Sequence, residues 1–174
     1  EIEDHYDERF DITGLTPAEK ELKDAVASGL PCVLDKTYPT DIADHLPPKP
    51  ADCSKPDPTR HIRADVLRFV LLQQVQHERM TEAGTQLFGA QITGALDLSD
   101  ATIHSHCGLH ACRVENTIEA EGSKFHSNAF FQHSNLPALS AAGAMITGQL
   151  TFTGAQIDAT NGNALDLQRA QIGE

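Results

Sequence analysis

The sequence predicts a mainly β protein: a right-handed, four-sided parallel β-solenoid of nearly four coils, about 22 residues each, behind a small α-helical N-terminal capping region. Three observations predict it. Apolar residues recur every eleven positions from Leu87 onward. Each recurring residue has a small or apolar partner two positions earlier. Finally, eight of the nine prolines lie before residue 60, whereas eight of the twelve glycines and five of the nine histidines lie from residue 94 onward. Such a shift in punctuation separates two kinds of structure.

Residues 1–14, EIEDHYDERFDITG, are acidic with little apolar content and read as an arm or linker. A helical N-terminal region is expected over 15–84. Thr16-Pro17-Ala18-Glu19 has the form of a capping box with proline at the first helical position. The helix it opens runs through Leu22, Ala25 and Val26 and stops at Gly29. Residues 30–58 hold too many prolines for a long element and read as a loop. A second helix is expected from about Thr59 to Gln73, because Ile62, Val66, Phe69, Val70 and Gln73 fall at spacings of three and four. Its broad apolar stripe needs a surface to cover, and the repeats supply one.

The repeat domain is expected over 85–174. One series is Ile92, Ile103, Val114, Phe125 and Leu136; after a one-residue deletion come Ile146 and Ile157, and after a four-residue insertion Ile172. A second series interleaves with it at steps of five and six: Leu98, Leu109, Ala120, Phe131, Ala141, Phe152 and Leu167. The i, i+2 relation is the period of a strand, so each pair turns two side chains to one side of a very short strand. Neither a helix nor a hairpin meander produces a 5/6 alternation. Four short strands, each turned at a corner, close a square coil of 22 residues in which position 92 stacks under 114, 136 and 157. Volumes agree with that register. Where the inner residue shrinks to Ala120 or Ala141, its partner grows to Ile118 or Leu139; beside the small Ala129 stands Phe131.

The segments GAQITGALDL (89–98), GAMITGQLTF (143–152) and GAQIDATNGNALDL (154–167) resemble bacterial pentapeptide-repeat proteins, which fold as right-handed quadrilateral β-helices. The resemblance covers about half of the chain, roughly 85–174. It departs from a strict five-residue period, which would give coils of twenty, and large Leu or Ile often replaces the family's small residue. TRHIRADVLRFVLL followed by GAQITGALDLSDATI is similar to bacterial members, without an assigned activity, that pair a capping helix with such repeats. The resemblance implies a membrane-associated C-terminus in longer members and supplies no catalytic residues.

Composition narrows the function. With 25 Asp+Glu against 13 Lys+Arg, the net charge is −12 and no basic cluster stands out, which argues against direct nucleic-acid binding. No apolar run is long enough to span a bilayer. The four cysteines are too few for a disulfide scaffold; Cys107 and Cys112 occupy apolar repeat positions as small buried hydrophobes. Cys32 and Cys53 flank the proline-rich stretch and could pair in an oxidising compartment, but a reduced cytoplasmic chain is the expectation. The chain starts at Glu1 and stops at Glu174 in mid-coil. A piece of a longer protein is expected, the alternative being an end-to-end homodimer through the last coil.

His104, His106, His110, His126 and His133 crowd into thirty residues. In the 22-residue register His104 and His126 point outward from adjacent coils about 5 Å apart, a spacing compatible with a shared metal ion. The bland reading is a solvent-facing polar ladder. Asp97, Glu119, Glu121, Asp158 and Asp166 are candidates for paired carboxylates, yet no Ser/His/Asp order, CxxC, Walker loop or GxGxxG is present. The expectation is therefore a protein-binding scaffold, without catalytic residues or cofactor. The alternatives are an acidic DNA mimic regulating a DNA-binding enzyme such as gyrase, and a metal-binding solenoid.

Overall fold

The computed structural model describes residues 14–36, 57–73, 84–159 and 162–173. The predicted arm before Gly14, most of the proline-rich loop and Cys53 lie outside the described residues.

The N-terminal region comprises α1 (Pro17–Ser28), β1 (Cys32–Val33), β2 (His61–Arg63) and α2 (Ala64–Gln73). α1 begins as its sequence requires. The Thr16 side chain accepts from the Glu19 backbone, the Glu19 carboxylate accepts from the Thr16 backbone, and Gly29 ends the helix at φ 66°. The second helix starts later than its apolar spacing suggests. His61–Arg63, expected in its first turn, is instead a strand paired in register with Gln91–Thr93. The reason is that Ile62, wholly buried, is an inward residue at strand period, and the ladder satisfies the backbone groups that a helical turn would otherwise satisfy. Within the proline-rich stretch, Cys32–Val33 likewise pairs with Leu87–Phe88.

Four coils follow. The first holds β3 (Thr85–Phe88), β4 (Gln91–Thr93), β5 (Leu96–Asp97) and β6 (Thr102–Ile103); the second holds β7 (Cys107–His110), β8 (Arg113–Val114), β9 (Ile118–Glu119) and β10 (Lys124–Phe125). In the third are β11 (Ala129–Phe130), β12 (Asn135–Leu136), β13 (Leu139–Ser140) and β14 (Met145–Ile146), and in the fourth β15 (Leu150–Thr151), β16 (Gln156–Ile157), β17 (Leu165–Asp166) and β18 (Gln171–Ile172). Every fourth strand joins the same parallel sheet, giving four faces. The predicted register holds: Ile92 pairs with Val114, Leu136 with Ile157, Phe125 with both Ile103 and Ile146, and Leu139 with both Ile118 and Leu165. The compensating pairs Ile118/Ala120, Leu139/Ala141 and Ala129/Phe131 are all buried in one core.

The N-terminal edge of this stack is covered in halves. β1 and β2 add one more strand to the first and second faces, while α2 packs over β5 and β6, the leading strands of the third and fourth. Arg68 on α2 donates from Nε to the Asp97 carbonyl at 2.6 Å, satisfying an edge acceptor of β5. α1 in turn packs on β1, β2 and α2. At the other end the inward residues lose cover: Leu165 and Ile172 are 38% and 41% exposed.

The corners explain the alternation of five and six. Between the first and second faces stand Gly89, Ala111, His133 and Gly154, and between the third and fourth Asp100, Gly122, Gly143 and Arg169. All eight have φ between 49 and 73°. Bonds such as Ala101 N to Leu98 O (3.0 Å) and Ala155 N to Phe152 O (2.9 Å) close these tight turns, with the left-handed residue third. At the other two corners three residues separate the inward residues that flank the corner in the first two coils, as between Ile92 and Leu96 or Val114 and Ile118, and these form the longer step. Both departures from the period fall at one of these, between the second and third faces. One linker residue is missing between Leu136 and Leu139, and the extra residues lie between Ile157 and Leu165.

A left-handed corner tolerates Ala or His only at a cost of about 1–2 kcal/mol. At Gly154 a methyl group would also collide with the His133 ring of the preceding coil. Gly154→Ala is expected to lower the unfolding free energy by about 2 kcal/mol, read as a lower urea midpoint at unchanged slope.

Candidate functional site

The second face carries a groove of about 510 Å³ running across the strands. The 22-residue register builds it. Strands on this face turn Ile92, Val114 and Leu136 inward, so their neighbours stand outward in two columns. One column is His61, Gln91, Arg113, Asn135 and Gln156; the other is Arg63, Thr93, Glu115, Pro137 and Asp158. Asp57 closes the N-terminal end of the groove, which Pro137 and Asp158 also line at the far coils. The walls are held from within. His61 Nε2 lies 2.5 Å from Thr93 Oγ1, Gln91 Oε1 accepts from the Asp57 backbone at 3.2 Å, and Glu115 Oε2 accepts from Gly94 N at 3.1 Å. Asp57 accepts from the Thr59 hydroxyl at 2.6 Å and from its backbone at 2.9 Å, which holds its carboxyl below the ordinary range. Three carboxylates, Asp57, Glu115 and Asp158, thus share the groove with one guanidinium, Arg113.

The histidines that crowd the sequence are distributed around the coil. His104 and His126 stack on the fourth face, ring centroids 5.0 Å apart and planes inclined by 23°. Both are exposed. His106, at the next corner, lies 3.0 Å from Ser127 Oγ through Nδ1 and stacks on Phe130. His110 belongs to the first face, is buried, stacks on Phe88 at 4.5 Å and meets Gln86 Oε1 at 2.6 Å. Burial pushes its imidazole down to about 4, so it is neutral at pH 7. Gly108 makes that bond accessible, since a methyl group there would strike both Gln86 and His110. His133 occupies a tight corner. No group of three or more potential metal ligands occurs among the described residues.

The candidate carboxylates separate likewise. Asp97, Glu119 and Asp166 form a column on the third face, interrupted by Ser140. Glu121 sits at the following corner and accepts from Ser140 Oγ at 2.9 Å. Asp158 joins Glu115 in the groove instead. Asp97 accepts from the Ser99 backbone at 2.9 Å, and this bond lowers its pKa.

The three described cysteines are inert thiols. Cys107 and Cys112 are buried inside the coil, and desolvation pushes each to about 12. Cys32 is also a buried free thiol raised to about 12. Cys112 and Ser134 share one corner column, and each donates to a carbonyl of the preceding coil, at 3.3 Å to Leu87 O and 2.9 Å to Leu109 O. These polar groups stitch coils together.

The groove escaped sequence reasoning because Asp57 and His61 lie far from the repeats and belong to the cap. Its other members carried a readable signal: Glu115 and Asp158 occupy the same outward position in the 22-residue register. No helix among the described residues is long and apolar enough to cross a membrane. Compared with protein-family models, with curated proteins and with solved structures, the chain shows no match.

Proposed function

We propose that the chain is a non-catalytic scaffold of the pentapeptide-repeat type that binds a protein partner along its second face. The observation that carries this reading is the groove, a strip lined mostly by polar residues from the cap and four successive coils, with Ile92 and Val114 also lining it. Its floor is a parallel sheet whose backbone bonds are internal, so the outward columns keep their spacing without a ligand. That rigidity lowers the ordering cost of binding. Three carboxylates against one guanidinium favour an extended segment rich in Lys and Arg. The test is fluorescence anisotropy with a labelled Lys/Arg-rich decapeptide and a Glu-rich control. Binding of the basic peptide alone, weakened at least tenfold in Glu115→Lys/Asp158→Lys, is the expected result. Equal binding of the two peptides, or a variant that binds as well as the parent, overturns the reading.

A second reading, an acidic regulator that imitates duplex DNA, draws on the Asp97, Glu119 and Asp166 column of the third face. It requires that gyrase supercoiling fall as the protein is added. Supercoiling untouched at a large molar excess eliminates it.

A further inference from the structure

We infer that His104 and His126 form a two-imidazole clamp for a late first-row divalent cation, independent of the groove. The two residues leave neighbouring parallel strands at the same register position, one step beyond the inward pair Ile103 and Phe125. The backbone holds that register: His126 N donates to Ile103 O at 2.8 Å and Lys124 N to Ala101 O at 2.8 Å. Ile103 and Phe125 are packed in the core, so neither strand can slide. The rings are therefore stacked beside a fixed sheet, 5.0 Å between centroids, and both side chains are exposed.

Imidazole nitrogens bind such ions at about 2.0–2.1 Å, so two of them bracket one ion at no more than about 4.2 Å from each other. In the stack the ring planes are inclined by only 23°, so the nitrogen lone pairs run nearly parallel. Converging them on one ion takes rotation of both rings out of the stack about their side-chain bonds, which exposed side chains undergo freely. Imidazole as the sole protein ligand selects copper, nickel and zinc over calcium or magnesium, which require oxygen. With two protein ligands the remaining coordination positions stay with water, and affinity should follow the order Cu²⁺ above Ni²⁺ and Zn²⁺. The flanking outward column, Thr102, Lys124 and Met145, contributes one cation that disfavours a second charge. This contribution tempers the affinity without blocking the nitrogens.

The experiment is calorimetric titration of the whole chain with Ni²⁺ and with Cu²⁺ at pH 7.5, repeated for His104→Ala, His126→Ala, the double variant and the control His106→Ala. The clamp predicts one site lost, or weakened at least tenfold, in either single variant. The double variant should lose no more than either single one, and His106→Ala should titrate like the parent. Thermal unfolding, unchanged because both rings are exposed, certifies the fold of each variant. Uptake that survives either single substitution, or losses that add across the pair, overturns the inference.

Discussion

Phe125→Asp is expected to unfold the solenoid. Phe125 is 4% exposed, points into the second coil and pairs on both sides, with Ile103 above and Ile146 below. Removing a buried aromatic ring costs about 3–5 kcal/mol before the penalty of a desolvated carboxylate is counted. Domains of this size are stable by about 5–15 kcal/mol, so little remains. Because a parallel stack transmits each coil's register to the next, the loss spreads through coils whose own side chains are unaltered. The neighbouring Lys124→Asp provides the contrast: Lys124 is exposed, and its replacement should change stability by no more than about 0.5 kcal/mol. Chemical denaturation of both variants checks this, and equal effects would reverse the assignment of inside and outside.

Glu19→Ala should loosen α1 from the rest of the cap. The Glu19 side chain is fully buried, yet it is charged, because it accepts from four donors. These are Thr16 N at 2.9 Å, Arg63 N at 2.9 Å, Arg63 Nε at 2.9 Å and Arg63 Nη2 at 3.1 Å. One carboxylate thus ties the first turn of α1 to the end of β2. Thr16 Oγ1 reinforces the junction by donating to the His61 carbonyl at 3.0 Å. Losing the carboxylate should cost about 3 kcal/mol. Desolvation raises the Glu19 pKa, but its bonds to Arg63 and Thr16 outweigh it, and the net shift is below the ordinary 4.5. The sign of the pH effect follows. Above about 4.5 the unfolded chain is ionised as well, so the stabilisation is complete; it is lost as pH falls through the lower folded value. Thermal melts of the parent should therefore lose stability on acidification more steeply than melts of Glu19→Gln, which has no carboxylate to titrate.

The repeats were legible because their inward residues form a code of period two within period eleven, and a square coil is the simplest closed shape that obeys it. Ile92, Phe125 and Leu139 all stand where that code places them. His61–Arg63 was not legible as a strand. Three residues contain a single alternation, and Ile62 fits the helical spacing of Val66 and Phe69 equally well. Only the presence of an unpaired sheet edge beside β4 decides the matter, and that edge exists only once the coil is built. Ala111, His133 and Arg169 hid the tight corners for a related reason. Glycine advertises a left-handed residue, whereas these side chains adopt the same φ under the pressure of the stack. Within the candidate sites, the His104–His126 spacing followed directly from the register, while the groove needed the cap's Asp57 and His61 to complete it.

The placement of the two length changes has a consequence for how such a coil can vary. Three corners are tied to a fixed count: two by turns that need a left-handed residue, one by three linkers in every coil that continues past it. The fourth, between the second and third faces, drops a residue at Pro137 and gains several after Asp158 without moving Leu139 or Leu165 from their column. That corner is a hem where cloth can be taken in or let out while the garment keeps its cut. Pro137 and Asp158 also border the groove. Insertions and deletions there can reshape what the second face grips, and foreign segments can be spliced in, with no change to any residue of the core.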